Sequence, residues 1–395
     1  MQNYLFKLAT LLSLTKNMII NQQKWTATQG WKAYKGSPAL KEAHLVIGFG
    51  KREILADEAR FDEIRAMYPD ARILLASTSG EILDAEVSDD SIAITGIWFE
   101  NTAIATAKTH TAGKDSKHSG IDLASQFEKE GLKHIFVLSE GSTINGTALV
   151  EGMHEVLGNK ITITGGLAGD GAAFSKTTVG LDGTPQEFEV VAVGLYGEAI
   201  SVGYGSFGGW EAFGAERLVT KAENNVLYEL DDKPALELYK LYLGDKAADL
   251  PASALLFPLS IIDENGLPLV RTVLTIDNEK QTMTFAGNIP QGCKVRLMKS
   301  NTNKLVEGAG NAAQNSLDVL GVSNTPSLAL LVSCVGRKLV LKQRIEEEIE
   351  AVKDLLGENA HILGFYSYGE LAPTGEDTPC YLHIQTMTIT LLTEK

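Results

Sequence analysis

The sequence predicts an α/β protein of two domains, with mixed sheets built from repeated βαβ units and helices on their outer faces. Three observations carry this reading: a strand–helix–strand unit used three times, amphipathic helices inside each unit, and long β-branched strands between and after them. The first unit runs from HLVIGFG (His44–Gly50) to ILLASTSGEI (Ile73–Ile82). The second runs from HIFVLSEG (His134–Gly141) to ITITGGLAGDG (Ile161–Gly171), and the third from LALLVSCVGRK (Leu328–Lys338) to HILGFYSYGEL (His361–Leu371). A strand, a returning helix and a second strand form a βαβ crossover, and open α/β sheets take ligands beyond the carboxyl ends of their strands.

Within each unit the helix carries apolar residues at helical spacing. Phe61, Ile64 and Tyr68 do so in the first, stopped by Pro69; Leu149, Met153 and Val156 in the second, stopped by Gly158; Ile345, Ile349, Val352 and Leu356 in the third, stopped by Gly357. Between the second and third units, EVVAVGLYG (Glu189–Gly197) and LVRTVLTID (Leu269–Asp277) read as strands. PALELYKLYLG (Pro234–Gly244) reads as a helix opened by Pro and closed by Gly. TMTFAG (Thr282–Gly287) and CKVRLMKS (Cys293–Ser300) read as a strand pair, followed by a helix over Asn303–Leu320 and a final strand over Cys380–Leu392. The domain junction is expected near Glu223–Asp232, giving an N-terminal extension over 1–37 and domains over 38–222 and 223–395.

Bulk properties narrow the function. A chain of 395 residues exceeds one comfortable core. A formal net charge of −15 argues against nucleic acid and against anionic lipid. Cys293, Cys334 and Cys380 are far apart with no C-x-x-C spacing, which suits a reducing compartment and gives no zinc site. The apolar stretch Met1–Ile20 resembles a signal peptide but lacks a basic start. Lys7 and Lys16 interrupt or bound it, and Met18 offers an alternative start. No uncharged apolar run is long enough to span a bilayer, so a cytoplasmic protein is expected.

Two glycine-rich motifs fail as nucleotide loops. Gly203–Gly208 matches G-x-G-x-x-G, yet Gly209, Trp210 and Gly214 deny it the helix start that binds pyrophosphate; a bend with a packed indole is expected instead. Gly141–Thr147 has P-loop glycine spacing with Thr147 at the lysine position. Cys334 ends a strand beside Arg337 and Lys338, so a thiol-dependent hydrolase with His383 as base stands as the alternative to a binding protein. Against it stands the ordinary behaviour of cysteine as a small buried hydrophobe. Glu81, Asp170 and Glu370 follow glycines in equivalent loops, where a carboxylate either meets a ligand or closes the turn.

The motifs ASTSGEI, VSDDSIAITGIWF, TGGLAGDGAAF, VRTVLTID, GNIPQG, LVEGA, LVSCVGR, GFYSYGELAP and QTMTIT occur in that order. Together, from about His44 to Leu392, the chain resembles the FIST-domain family, with an N-terminal and a C-terminal FIST domain. That resemblance implies a cytoplasmic, non-enzymatic sensor of a small, amino acid-like ligand, regulating a histidine kinase or a diguanylate cyclase. The ligand is expected in the Gly-acid loops and at the surface between the domains, with specificity from Ser77, Thr78, Glu81, Gly169, Asp170, Arg337, Tyr366 and Glu370. The NosP branch binds haem and senses nitric oxide, for which His383 and Tyr204 are the candidate ligands here. The chain departs from bacterial relatives at Ala76, Tyr204 and Ile384, where Cys, His and Asn are frequent.

Overall fold

A computed structural model describes residues 18–36, 40–250, 252–262, 268–375 and 378–395. The reading of the leader before Met18 lies outside the described residues.

The first unit opens with β1 (Met18–Thr26) and β2 (Gly30–Gly36), in the stretch read as an extension. It continues through β3 (Leu45–Gly50), β4 (Arg72–Ser77), β5 (Glu81–Leu83), β6 (Glu86–Ser88) and β7 (Ser91–Phe99). The second comprises β8 (Ala103–His110), β9 (Leu132–Ser139), β10 (Thr162–Leu167), β11 (Val179–Leu181) and β12 (Glu189–Tyr196). The third begins at β13 (Ile200–Phe207) and, after a long insertion, resumes with β22 (Leu328–Cys334), β23 (His361–Ser367), β24 (Gly369–Pro373), β25 (Cys380–His383) and β26 (Met387–Glu394).

Each unit builds a six-stranded sheet around one parallel pair: β3 with β4, β9 with β10, β22 with β23. The sheet orders are β11-β4-β3-β7-β1-β2, β25-β24-β10-β9-β12-β8 and β13-β26-β22-β23-β5-β6. In each, the strand after the crossover leaves for a neighbouring sheet. β5 of the first unit pairs with β23 of the third, β24 of the third with β10 of the second, and β11 of the second with β4 of the first. This cyclic exchange gives the three units a pseudo-threefold arrangement.

The inner faces of the three sheets meet in one core, where Phe49, Phe136, Leu138, Leu330, Val332 and Phe365 are buried. Their outer faces are covered by the helix Glu58–Met67 on the first sheet, Ser116–Ala124 and Gly146–Leu157 on the second, and Thr302–Leu320 and Ile345–Leu356 on the third. The motif Gly203–Gly208 lies mostly in β13, and its glycines serve packing. A Cβ at Gly203 or Gly205 would sit 2.3 Å from Ser316 O or 2.4 Å from Ala312 O, so only glycine admits the helix Thr302–Leu320 at that distance.

The insertion holds β14 (Glu211–Glu223), β15 (Val226–Leu230), β16 (Lys233–Pro234), β17 (Leu259–Ile262), β18 (Pro268–Arg271), β19 (Val273–Asp277), β20 (Thr282–Phe285) and β21 (Lys294–Lys299). They form one eight-stranded sheet over the helix Ala235–Leu243, with a core of its own around Tyr239, Leu259, Met283 and Phe285. The stretch Glu223–Asp232, read as the domain junction, holds β15 and lies inside this sheet. The expected pairing of Thr282–Gly287 with Cys293–Ser300 does not form. β20 pairs with β15 and β19, and β21 with β14 and β17, because the eight-residue link is long enough to carry the chain across the sheet. The insertion leaves β13 through the expected bend. Gly209 adopts φ +77°, and the Trp210 indole Nε1–H donates to Gln385 O at 2.8 Å.

Candidate functional site

The loops that follow the second strand of each unit meet where the three sheets converge. Three backbone hydrogen bonds close a ring there: Ser79 N–H to Tyr366 O (2.8 Å), Tyr368 N–H to Leu167 O (3.1 Å) and Gly169 N–H to Ser77 O (3.0 Å). Ser77 Oγ reinforces the ring by donating to Gly169 O at 2.8 Å, and Thr178 N–H donates to Ser77 Oγ at 2.9 Å. A Cβ at Gly169 would lie 2.3 Å from Ser79 Oγ, so the loop contact requires glycine. Ser77, Thr78, Glu81, Gly169, Tyr366 and Glu370 are thus drawn into one packed ring of loops, and none of them lines the three cavities described below.

Two of the three acidic residues occupy matching cradles. Glu81 accepts from Thr78 Oγ1 at 2.6 Å and Ser91 Oγ at 2.7 Å; Glu370 accepts from Ser367 Oγ at 2.6 Å, Thr386 Oγ1 at 2.8 Å and Thr386 N–H at 3.1 Å. In both, a hydroxyl three residues earlier and another just before or at the start of the next long strand hold the carboxyl. Burial pushes Glu81 up to about 7 and Glu370 up to about 8, against the opposing pull of these hydrogen bonds. Asp170 does not share this position. In the register Glu81 faces Phe365 and Glu370 faces Gly166, while in the second unit Val179 faces Ala76. The cradle's counterpart there is the apolar pair Ala168 and Val179. Asp170 sits outside it in a longer loop, accepting from Ser175 Oγ (2.8 Å), Ser175 N–H (3.0 Å), Lys176 N–H (2.8 Å) and the Tyr368 hydroxyl.

Arg337 and Tyr366 are committed elsewhere than to a ligand. Arg337 is fully buried and donates to Glu348 Oε2 (2.8 and 3.0 Å), Gly208 O (2.6 Å) and Leu305 O (2.7 Å). The Tyr366 hydroxyl donates to Glu348 Oε1 at 2.7 Å, as does Ser333 Oγ at 3.1 Å. This buried network ties the helices of the third unit to the Gly208 bend. An ionised side chain so deep needs a partner, and Glu348 on the next helix supplies it.

The thiol alternative lacks its geometry. Cys334 is packed with Leu371 and Leu382, and burial first, then the nearby Glu370 carboxyl, raises its pKa far above the usual thiol range. Its thiol stays protonated, and His383, lowered to about 4 by burial, is too weak a base to take the thiol proton. Haem fits no better. The His383 Nε2 atom is 2.9 Å from Ala372 O, and His383 lines none of the cavities described below. Tyr204 faces a separate space of about 440 Å³ beside Lys160, Pro373 and Cys380. None of these three cavities is lined by both residues. Among the described residues, no cluster of three His, Cys, Asp or Glu side chains could hold a metal ion.

An open space lies between the insertion and the second sheet. A cavity of about 910 Å³ is bounded by Val150, Glu151 and His154 of the helix Gly146–Leu157, by Ile261, Ile262, Leu269, Arg271, Cys293 and Lys294 of the insertion, and by Cys380–Leu382 of β25. Arg271 bridges its two walls, donating to Asn288 O at 3.0 Å and to Leu382 O at 3.3 Å across the junction. Asn145 Nδ2 donates to Asn288 Oδ1 at 2.9 Å in the same seam. His154 Nε2 accepts the Cys380 N–H at 2.9 Å, which leaves its Nδ1 to donate to Gly158 O. A smaller cavity of about 320 Å³ adjoins at Leu382 and is lined by the loop Gly141–Gly146, Phe174, Asn225, Phe285 and Tyr368. These lie beyond the carboxyl ends of β9 and β10, where the fold class directs a ligand. Sequence reasoning missed Arg271, Glu348 and Phe174 as site or network residues. An arginine inside the β-branched run LVRTVLTID was the available signal for the first. Phe174 and Tyr368 become partners only in the fold.

Comparisons with known proteins agree with the motifs. The FIST N domain model matches residues 44–233 and the FIST C domain model residues 235–373. An uncharacterized protein of Methanocaldococcus jannaschii is 28% identical over 233 residues, 55% of this chain; the match spans 43% of that relative's length. Among solved structures, cyanuric acid hydrolase from A. caulinodans covers 96% of this chain and 99% of its own at 9% identity and a TM-score of 0.35. A second cyanuric acid hydrolase structure, at 7% identity, covers 96% and 100% with a TM-score of 0.34. Scores at that level carry no argument about activity. With both models matched in order along most of its length, the chain belongs to the FIST family of sensory domain proteins.

Proposed function

We propose that this protein senses a small, amino acid-like ligand in the cleft between the insertion and the second sheet, and passes the signal to a histidine kinase or diguanylate cyclase partner in the cytoplasm. One observation carries the reading: the cavity of about 910 Å³ is lined by Arg271, by Lys294, which also pairs with Glu216, and by Glu151, together with an apolar wall of Val150, Ile261, Leu269 and Leu382. Both signs of charge flanking apolar surface suit a zwitterion with a hydrophobic side chain. The volume lies within the range of small-molecule pockets. The cysteines Cys293, Cys334 and Cys380 are free thiols, in keeping with a reducing compartment. Among the described residues no helix is long and apolar enough to cross a membrane.

A panel of the twenty amino acids tests the reading, by thermal shift and then by titration calorimetry. Ile262 is 39% exposed at the rim, so Ile262→Trp should fill the cleft without unfolding the chain. At least one amino acid is expected to bind the parent and to lose binding in this variant. Absence of any hit, or a hit indifferent to Ile262→Trp, would refute the cleft as the ligand site.

A further inference from the structure

We infer that the smaller cavity takes an uncharged planar ring, stacked on Phe174, and that this ring is the specificity-determining part of the ligand. The inference rests on the cleft reading above and adds what the adjoining compartment selects. Phe174 is 47% exposed, unusual for so large an apolar side chain, and lines this cavity. Its ring stacks on Tyr368 at 4.6 Å between centroids and 16° between planes. Tyr368 packs in turn against the apolar core of the second sheet, so one face of Phe174 is backed and the other is open.

The pair is held independently of any ligand. The Tyr368 hydroxyl donates to Asp170 and accepts the Phe174 N–H at 3.0 Å. Phe174 has φ +49°, a left-handed conformation that a bulky residue adopts only when its surroundings impose it. Such strain, spent on presenting an aromatic face to a cavity, points to a stacking platform.

The rest of the lining decides the charge of the occupant. Its side chains are hydroxyl, amide, aromatic or aliphatic, with no Lys, Arg, His, Asp or Glu among them. A phosphate or carboxylate would find no counter-ion, whereas a neutral ring finds apolar faces and a polar neutral rim. About 320 Å³ accommodates a mono- or bicyclic ring such as indole.

The probes are indole, L-tryptophan and L-leucine, titrated against full-length parent, Phe174→Ala and Phe174→Trp. Indole and L-tryptophan are expected to bind the parent, about three- to tenfold more weakly to Phe174→Ala, with affinity kept in Phe174→Trp. L-Leucine is expected to be insensitive to either change. Equal affinity of the ring probes for parent and Phe174→Ala would overturn the stacking site. Binding of L-leucine, blocked by Ile262→Trp, with no binding of either ring probe, would also overturn it while leaving the cleft reading intact. Circular dichroism confirms that the variants fold, since Phe174 contributes little to any core.

Discussion

The loops of the first and third units carry Glu81 and Glu370 inward, into hydroxyl cradles; the loop of the second unit carries Asp170 outward. The three loops descend from the same place in the same kind of unit, so the contrast isolates what a short change of sequence does. Where Thr78 or Ser367 stands three residues before a glutamate, the carboxyl is buried, satisfied and structural. Where Ala168 and Val179 take those positions, the cradle is apolar and needs no acid. The freed loop then lengthens, and its aspartate fixes Tyr368 and, through it, Phe174 at the mouth of a cavity. Repetition therefore marks the scaffold in this molecule, and the departure from repetition marks the site.

Breaking the scaffold of the third unit should have the largest effect. Arg337→Ala leaves Glu348 as an uncompensated buried carboxylate and is expected to cost about 3–5 kcal/mol in urea unfolding. A cost below about 1 kcal/mol would mean that water replaces the guanidinium and that the network is not closed.

Converting the first unit to the pattern of the second sharpens the comparison. Glu81→Ala strands the Thr78 and Ser91 hydroxyls in a buried space and should cost about 1–3 kcal/mol. Thr78→Ala with Glu81→Val copies Ala168 and Val179 and should recover part of that loss. A double variant no better than the single one would show that the two positions are not interchangeable.

A smaller effect comes from pH. Glu370 titrates near 4.5 in the unfolded chain and at about 8 in the fold. Between these values the native state keeps a proton that the unfolded state releases. The stability it supplies is fully present below about pH 4.5 and is lost as pH rises toward about 8. Glu370→Gln is neutral throughout, so its melting temperature relative to the parent should climb by a few degrees from pH 5 to pH 8. A difference that does not change with pH would show that Glu370 is ionised across the range.

Asp170→Ala should be the mildest for stability, under about 1 kcal/mol, because its partners lie at the surface. It should still weaken binding of the ring probes, since the Tyr368 hydroxyl loses its acceptor. Unaltered binding would detach this loop from the site.

The three units, their helices and the burial of Cys334 were legible because periodicity and glycine stops are local signals. Strand exchange was not. β5, β11 and β24 are short, and nothing in Glu81–Leu83 says that it pairs with β23 of another unit, some 280 residues away. Arg337 and Tyr366 looked like ligand contacts for a related reason: their partner Glu348 stands in an acidic run with the exposed Glu346 and Glu350, although helical spacing sets it beside Ile345 and Val352 on the buried face. Residue type indicated polarity but not which polar groups the fold would bury together. The cleft itself depends on an insertion packing against β25, a contact between segments about a hundred residues apart.

Hydrogen–deuterium exchange on the full-length protein, with and without the tightest-binding compound of the amino acid panel, bears most directly on where the ligand sits. The account predicts slowed exchange in Gly141–Leu157, in Leu269–Lys294 and in Cys380–Leu382, with the ring at Ser77–Glu81 and Ser367–Glu370 unchanged. Protection confined to that ring, with the cleft segments exchanging as before, would contradict it.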